Sequence, residues 1–277
     1  MDEKNISGID DRRGKGGLKM AFYKMDFYSK TLQKDTDVLV SAPDKTNRES
    51  NVVYLLHGGG GGGGTDNKSW LNQKDRLQKW AEEYQTFFIM PSAPDSFFAN
   101  TCKGIRYQDY MLDELIVQIP ELFRVSKDRL RTAVAGMSMG GTSAFRLGMA
   151  APKQFGAIGC LSSGNLWMNS LSNQVHAYAV KNIFGVERIE DIEGTKYDFF
   201  VDALRNIREN LPLPHIFHAC GQQDHALEHA HSTAEWFKSN APEYDYNYYE
   251  PNLGKHDDAF WCKWMPKFLS FFIGLTN

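Results

Sequence analysis

Gly136-Met137-Ser138-Met139-Gly140-Gly141 is the stretch on which the reading of this chain turns. It follows the apolar run Thr132-Ala133-Val134-Ala135 and precedes Thr142-Ser143-Ala144-Phe145-Arg146-Leu147-Gly148-Met149, which suits a helix. A serine among close glycines at a strand-to-helix junction fits a sharp turn. The glycines keep side chains out of the crowded backbone, and the hydroxyl is held up at the carboxyl end of the strand. Ser138 is therefore the candidate nucleophile. The plainer reading of the same string is a glycine-rich loop before a helix, and the flanking strand and helix patterns favour the catalytic one.

Outward from that turn, short β-rich runs alternate with longer helix-compatible ones, the order expected when parallel strands are joined by crossover helices. Strands are predicted over 22–28, 36–42, 52–56, 87–90, 132–136, 157–161, 215–220 and 244–249, the first two as antiparallel edge strands. Helices are predicted over 70–84, 107–123, 139–150, 197–210, 227–240 and 259–272. In the second of these, Met111, Leu115, Ile119 and Leu122 recur at spacings of three and four and read as a core-facing stripe. The expectation is an α/β fold, with a mostly parallel sheet of eight strands and helices on both faces. At 277 residues the chain suits one such domain over 20–277. Residues 1–19 are polar and glycine-rich and read as a flexible leader or an added extension. Residues 164–196 break the alternation and read as a cap-like insert, or as a surface excursion without function.

A serine hydroxyl needs a base, a group to orient the base, and donors for the oxyanion. His256 follows the last predicted strand in Asn252-Leu253-Gly254-Lys255-His256-Asp257, where a loop can carry an imidazole over the sheet edge. Asp224, directly after the strand that contains Ile216-Phe217-His218, is the candidate acid. Asp198 and Asp202 are rivals that fall in a predicted helix, and Asp257 neighbours His256 too closely in sequence to face it. The glycine run Gly58 to Gly64 follows the strand Val52-Val53-Tyr54-Leu55-Leu56 and His57. Backbone N–H groups of Gly59 and Met139 are the candidate oxyanion donors. The run ends Gly64-Thr65-Asp66 without a Lys-Ser/Thr pair, which excludes a phosphate-binding loop. Asp224, His225, Glu228, His229 and His231 could be drawn as metal ligands, with His225 and His229 at helical spacing. The stretch lacks the H-E-x-x-H arrangement, and no metal is assigned.

Lys and Arg total 31 against 34 for Asp and Glu, so a net charge of −3 offers no electrostatic attraction to nucleic acid or an anionic membrane. A small neutral substrate fits better. Cys102, Cys160, Cys220 and Cys262 form no C-x-x-C pair, which argues against a zinc ribbon or a disulfide framework and fits reduced thiols in the cytoplasm. No apolar run reaches membrane-spanning length, and the first residues lack a signal-peptide core. No cofactor is called for, and a homo-oligomer is compatible with the sequence.

Taken together these motifs resemble the esterase D and tributyrin esterase branch of the α/β-hydrolases, which also holds S-formylglutathione hydrolases, feruloyl and acetyl-xylan esterases and mycolyltransferases. The resemblance runs from about Met20 to the C-terminus. It rests on Tyr54-Leu55-Leu56-His57-Gly58, Ser69-Trp70-Leu71, Met90-Pro91-Ser92, Tyr107-Gln108-Asp109-Tyr110 with Asp113-Glu114-Leu115, the Ser138 motif, and Gly254-Lys255-His256 with Phe260-Trp261. It implies a serine carboxylesterase acting on short acyl or aryl esters, with Ser138, Asp224 and His256 as triad and Gly59 and Met139 as oxyanion donors. S-formylglutathione thioester hydrolysis, acyl transfer to a sugar hydroxyl and a catalytically silent binding module are the alternatives. Gly58 and Trp167 are expected at the substrate, with Phe97 and Phe98 shaping the pocket. This chain departs from the family in its seven consecutive glycines and in Asp258, where an aromatic residue often follows the histidine.

Overall fold

The computed structural model describes residues 21–44, 49–59, 66–167 and 180–276. The leader 1–19, most of the glycine run and the middle of the predicted insert lie outside the described residues. Eight strands form one sheet in the order β1-β2-β4-β3-β5-β6-β7-β8. They are β1 (Ala21–Ser29), β2 (Lys34–Ala42), β3 (Asn51–Leu56), β4 (Thr86–Pro91), β5 (Thr132–Met137), β6 (Ala157–Leu161), β7 (His215–Ala219) and β8 (Tyr246–Tyr249). Pairings β1–β2 and β2–β4 are antiparallel and the rest are parallel, as the alternation of runs predicted.

Residue alternation along each strand sends side chains to two cores. Val52, Tyr54 and Leu56 of β3 join Val134 of β5 and Ile158 of β6 on one face, packed with Tyr110, Phe145, Phe199 and Phe237. Val53 and Leu55 join Ala133, Ala135 and Phe217 on the other, packed with Leu77, Trp80, Phe268 and Phe272. The second face is covered by α1 (Lys74–Glu83) and by the C-terminal helix Asp258–Gly274. The first is covered by a helical stretch from Tyr107 to Leu122, by Met139–Ala150, by Phe199–Arg208 and by Leu227–Asn240. These helices are α2 (Tyr107–Asp109), α3 (Ile116–Leu122), α4 (Met139–Ala150), α5 (Phe199–Arg208), α6 (Leu227–Asn240) and α7 (Asp258–Gly274). None of the described helices is long and apolar enough to cross a membrane. The four cysteines are unbridged.

Three departures from the predicted elements have a local cause. The predicted helix 70–84 opens as a 3-10 segment, Asn67–Gln73, because Asp66 caps it by accepting from the Lys68 N–H, and only then becomes α1. The last strand starts at Tyr246 rather than 244. Tyr244 instead sits in a turn, with its N–H on the Ala241 carbonyl and its hydroxyl on the Ala203 carbonyl. Between α2 and α3 the helix widens into a π-helical segment, Tyr110–Leu115, followed by Pro120.

That π segment carries Glu114 to the β1–β2 hairpin. Its carboxylate accepts from the Ser29 hydroxyl at 2.6 Å and from the N–H groups of Lys30 and Thr31 at 3.0 and 3.1 Å. Burial alone would raise the Glu114 pKa. The bonds from Ser29 and Thr31 and from the two backbone N–H groups outweigh burial and hold it below the usual carboxylate range. Glu114→Ala leaves these donors without their acceptor and is expected to cost about 1–3 kcal/mol, read as a lower denaturant midpoint. A carboxyl whose pKa is depressed by folding stabilises fully above its unfolded pKa and loses that effect as pH falls through the folded value. The gap between wild type and variant should therefore narrow on acidification.

Candidate active site

The β5–α4 turn holds Ser138 at φ 54° and ψ −124°, a left-handed backbone that L-residues rarely adopt. The fold tolerates it because the backbones around it nearly touch. A Cβ on Gly140 would lie 2.3 Å from the Leu56 carbonyl oxygen, and one on Gly136 would lie 2.4 Å from the Gly140 carbonyl. The Ser138 N–H donates to the Leu161 carbonyl at 2.9 Å, which anchors the turn to the end of β6.

The acid and the base arrive on loops after β7 and β8. A Cβ on Gly221 would stand 2.2 Å from backbone atoms of Gly254, and the Gln223 N–H donates to the Gly254 carbonyl at 2.9 Å. This contact ties the Asp224 loop to the His256 loop. Ser138 Oγ then donates to His256 Nε2 at 2.9 Å, and His256 Nδ1 donates to Asp224 Oδ1 at 2.8 Å. Three residues far apart in sequence thus form one hydrogen-bonded line with the geometry a nucleophile, base and orienting acid require. The Asp224 side chain is fully buried and that of His256 is 19% exposed. Burial alone would raise the Asp224 pKa, but the hydrogen bond from His256, the Ser162 hydroxyl and the Ala226 N–H together hold it below the usual range. The carboxylate therefore stays charged beside the imidazole.

Met139 is the first residue of α4, where a helix N–H has no intrahelical acceptor and points toward approaching negative charge. Gly58 borders Ser138: a Cβ there would lie 3.6 Å from the Ser138 Cβ. Gly59 is held at φ 111°, open to glycine alone in practice.

Sequence reasoning passed over the residue that orients this segment. His57 is fully buried, its Nε2 accepts from the Ala93 N–H at 3.1 Å, and its Nδ1 donates to the Gly58 carbonyl at 2.9 Å. Burial is the largest influence on its pKa and lowers it, so the ring stays neutral in this one tautomer. In a trans peptide the C=O and the following N–H point opposite ways. By holding the Gly58 carbonyl, His57 therefore directs the Gly59 N–H away from itself. Its signal in the sequence was its place between the buried β3 and the glycine run.

Trp261 is a second such residue. Its ring stands edge-on to His256, with centroids 5.3 Å apart, and its Nε1 donates to Ser162 Oγ at 2.9 Å. The rival acids are engaged elsewhere. Asp198 caps α5 through the Phe200 N–H, Asp202 pairs with Arg205 at 2.6 Å, and Asp257 caps α7 through the Phe260 N–H. Asp258 accepts from Gln73 Nε2 at 3.1 Å.

The suggested metal cluster comes apart. His225 precedes α6, so the helical spacing to His229 does not apply. His229 is buried against the Asn165 carbonyl, and His231 bonds Glu250. His225 instead stacks on His256, with ring centroids 4.1 Å apart. Trp167 packs edge-to-face on Phe200 at 6.0 Å, and Phe97 and Phe98 are buried with consecutive positive φ angles of 51° and 52°. The buried Arg146 donates to the Phe97 carbonyl at 2.9 Å and holds that bend.

Residues 29–272 match the Esterase family, described as "Putative esterase". An acetyl esterase of Caldicellulosiruptor saccharolyticus is 28% identical over 265 residues, covering 89% of this chain and 96% of that protein. Among solved structures, the substrate-bound fluorophosphonate-binding serine hydrolase F of Staphylococcus aureus superposes with a TM-score of 0.79 at 22% identity, covering 92% of this chain and 98% of that one. An S-formylglutathione hydrolase from Agrobacterium tumefaciens superposes with a TM-score of 0.74 at 17% identity, covering 95% and 98%.

If His57 sets the Gly58–Gly59 peptide, His57→Ala should lower kcat by about tenfold or more while KM changes far less. Steady-state kinetics beside a circular dichroism spectrum matching wild type would check it.

Proposed function

Because the chain belongs to the Esterase family, we propose that it is a serine carboxylesterase that cleaves short-chain acyl or aryl esters, of acetyl, butyryl or feruloyl type, through an acyl-enzyme on Ser138. The observation that carries this reading is the continuous hydrogen-bonded line Ser138–His256–Asp224.

In this mechanism His256 Nε2 takes the Ser138 proton as Oγ attacks the ester carbonyl carbon. Asp224 stabilises the imidazolium formed and keeps the ring in its working tautomer. N–H groups of Gly59 and Met139 stabilise the oxyanion in the tetrahedral intermediate. As that intermediate collapses, the C–O bond to the alcohol breaks and His256 returns its proton to the leaving alkoxide. Water, deprotonated by His256, attacks the acyl-enzyme and releases the acid, with the proton going back to Ser138. Gly58, beside Ser138, and Trp167 are the residues we assign to substrate contact. The unbridged cysteines support a reducing, cytoplasmic location. The partner is a small-molecule ester.

The test is a fluorophosphonate probe with mass mapping. Wild type should be labelled on Ser138, and Ser138→Ala should lose both label and several orders of magnitude of turnover. An unlabelled wild type would mark a silent fold. Relative rates on p-nitrophenyl acetate, methyl ferulate and S-formylglutathione then separate ester from thioester preference.

A further inference from the structure

The geometry points to a binding site for a zinc-like divalent transition-metal ion, formed by Asp224, His225 and His256, whose occupation shuts the esterase off. One ligand atom from each of these residues lies within 4.8 Å of the other two. A tetrahedral ion with bonds of about 2.0–2.2 Å needs ligand atoms only about 3.3 Å apart. The remaining distance of up to about 1.5 Å can come from His225, which is exposed at the surface, whereas Asp224 is buried.

Three features suit an ion at this place. The donor set, two imidazole nitrogens and one carboxylate oxygen, is the borderline set that zinc and its neighbours prefer. Asp224 also has spare capacity. Its Oδ1 accepts from His256 and from the Ala226 N–H, but Oδ2 is buried with no hydrogen-bond partner, although the Ser162 hydroxyl is near enough to lower its pKa. Finally, access is open on the His225 side, so an ion can reach the group without unfolding anything.

The consequence follows from either nitrogen of His256. An ion on Nδ1 takes the lone pair there, so the ring's single proton moves to Nε2, which can no longer accept from Ser138, and the bond to Asp224 that orients the ring is lost. An ion on Nε2 occupies the lone pair that accepts the Ser138 proton. Both remove the base while leaving the fold intact, so inhibition is reversible by a chelator. The inhibitory part rests on the esterase reading above, whereas the binding part does not.

The experiment uses full-length wild type, His225→Ala and His231→Ala, the last because His231 and Glu250 form an exposed pair that could bind metal separately. Each is titrated with CoCl2, following visible absorption, and with ZnCl2, following p-nitrophenyl acetate hydrolysis. Wild type and His231→Ala should develop the strong visible bands of four-coordinate cobalt and lose activity to zinc, with EDTA restoring it. His225→Ala should fail to develop the bands and, measured against its own rate without zinc, need at least about tenfold more zinc for half-inhibition. Wild type without bands at millimolar cobalt overturns the site, as do bands and zinc inhibition that persist unchanged in His225→Ala. Bands lost in His225→Ala while zinc leaves every rate untouched overturn the inhibitory consequence. If no preparation hydrolyses esters, the cobalt spectra still decide the site, so its failure is distinct from failure of the esterase reading.

Discussion

The close approach of backbones at the end of the central strands is the constraint on which the site depends. Ser138 can hold its left-handed turn only because Gly136 and Gly140 let the β5–α4 connection press against the carbonyl of Leu56. The same pressing brings the end of β3, and with it Gly58, alongside the serine. Nucleophile and oxyanion segment are thus set by one packing event, in which the absent side chains matter as much as the present ones.

The second loop pair repeats that logic at the other side of the sheet. Gly221 and Gly254 meet backbone to backbone, which joins the loop after β7 to the loop after β8 and brings Asp224 within a hydrogen bond of His256. Trp261, one turn into α7, closes the imidazole from the side. The base is therefore held by a carboxylate at one nitrogen, a serine at the other and an indole edge, and its remaining open neighbour is His225.

Among the described residues, burial separates two uses of imidazole. His57 and His218 are fully buried and neutral. Burial carries the pKa of His218 down to about 4, and its ring spans Tyr246 and the Ser163 carbonyl. Each serves as a fixed donor and acceptor that satisfies buried backbone or hydroxyl groups. His256 keeps partial contact with solvent, which a group that must gain and lose a proton in each turnover requires.

Much of this was legible in the residues alone. Short β-rich runs placed the strands, the glycine–serine string marked the turn, and their positions just after predicted strands singled out Asp224 and His256, because these signals depend on local backbone sterics and on which residue types can perform the chemistry. The tautomer of His57, the stacking of His225 on His256 and the indole beside the base were decided only by tertiary structure. Each joins residues whose distance in space is set by loop packing rather than by sequence spacing.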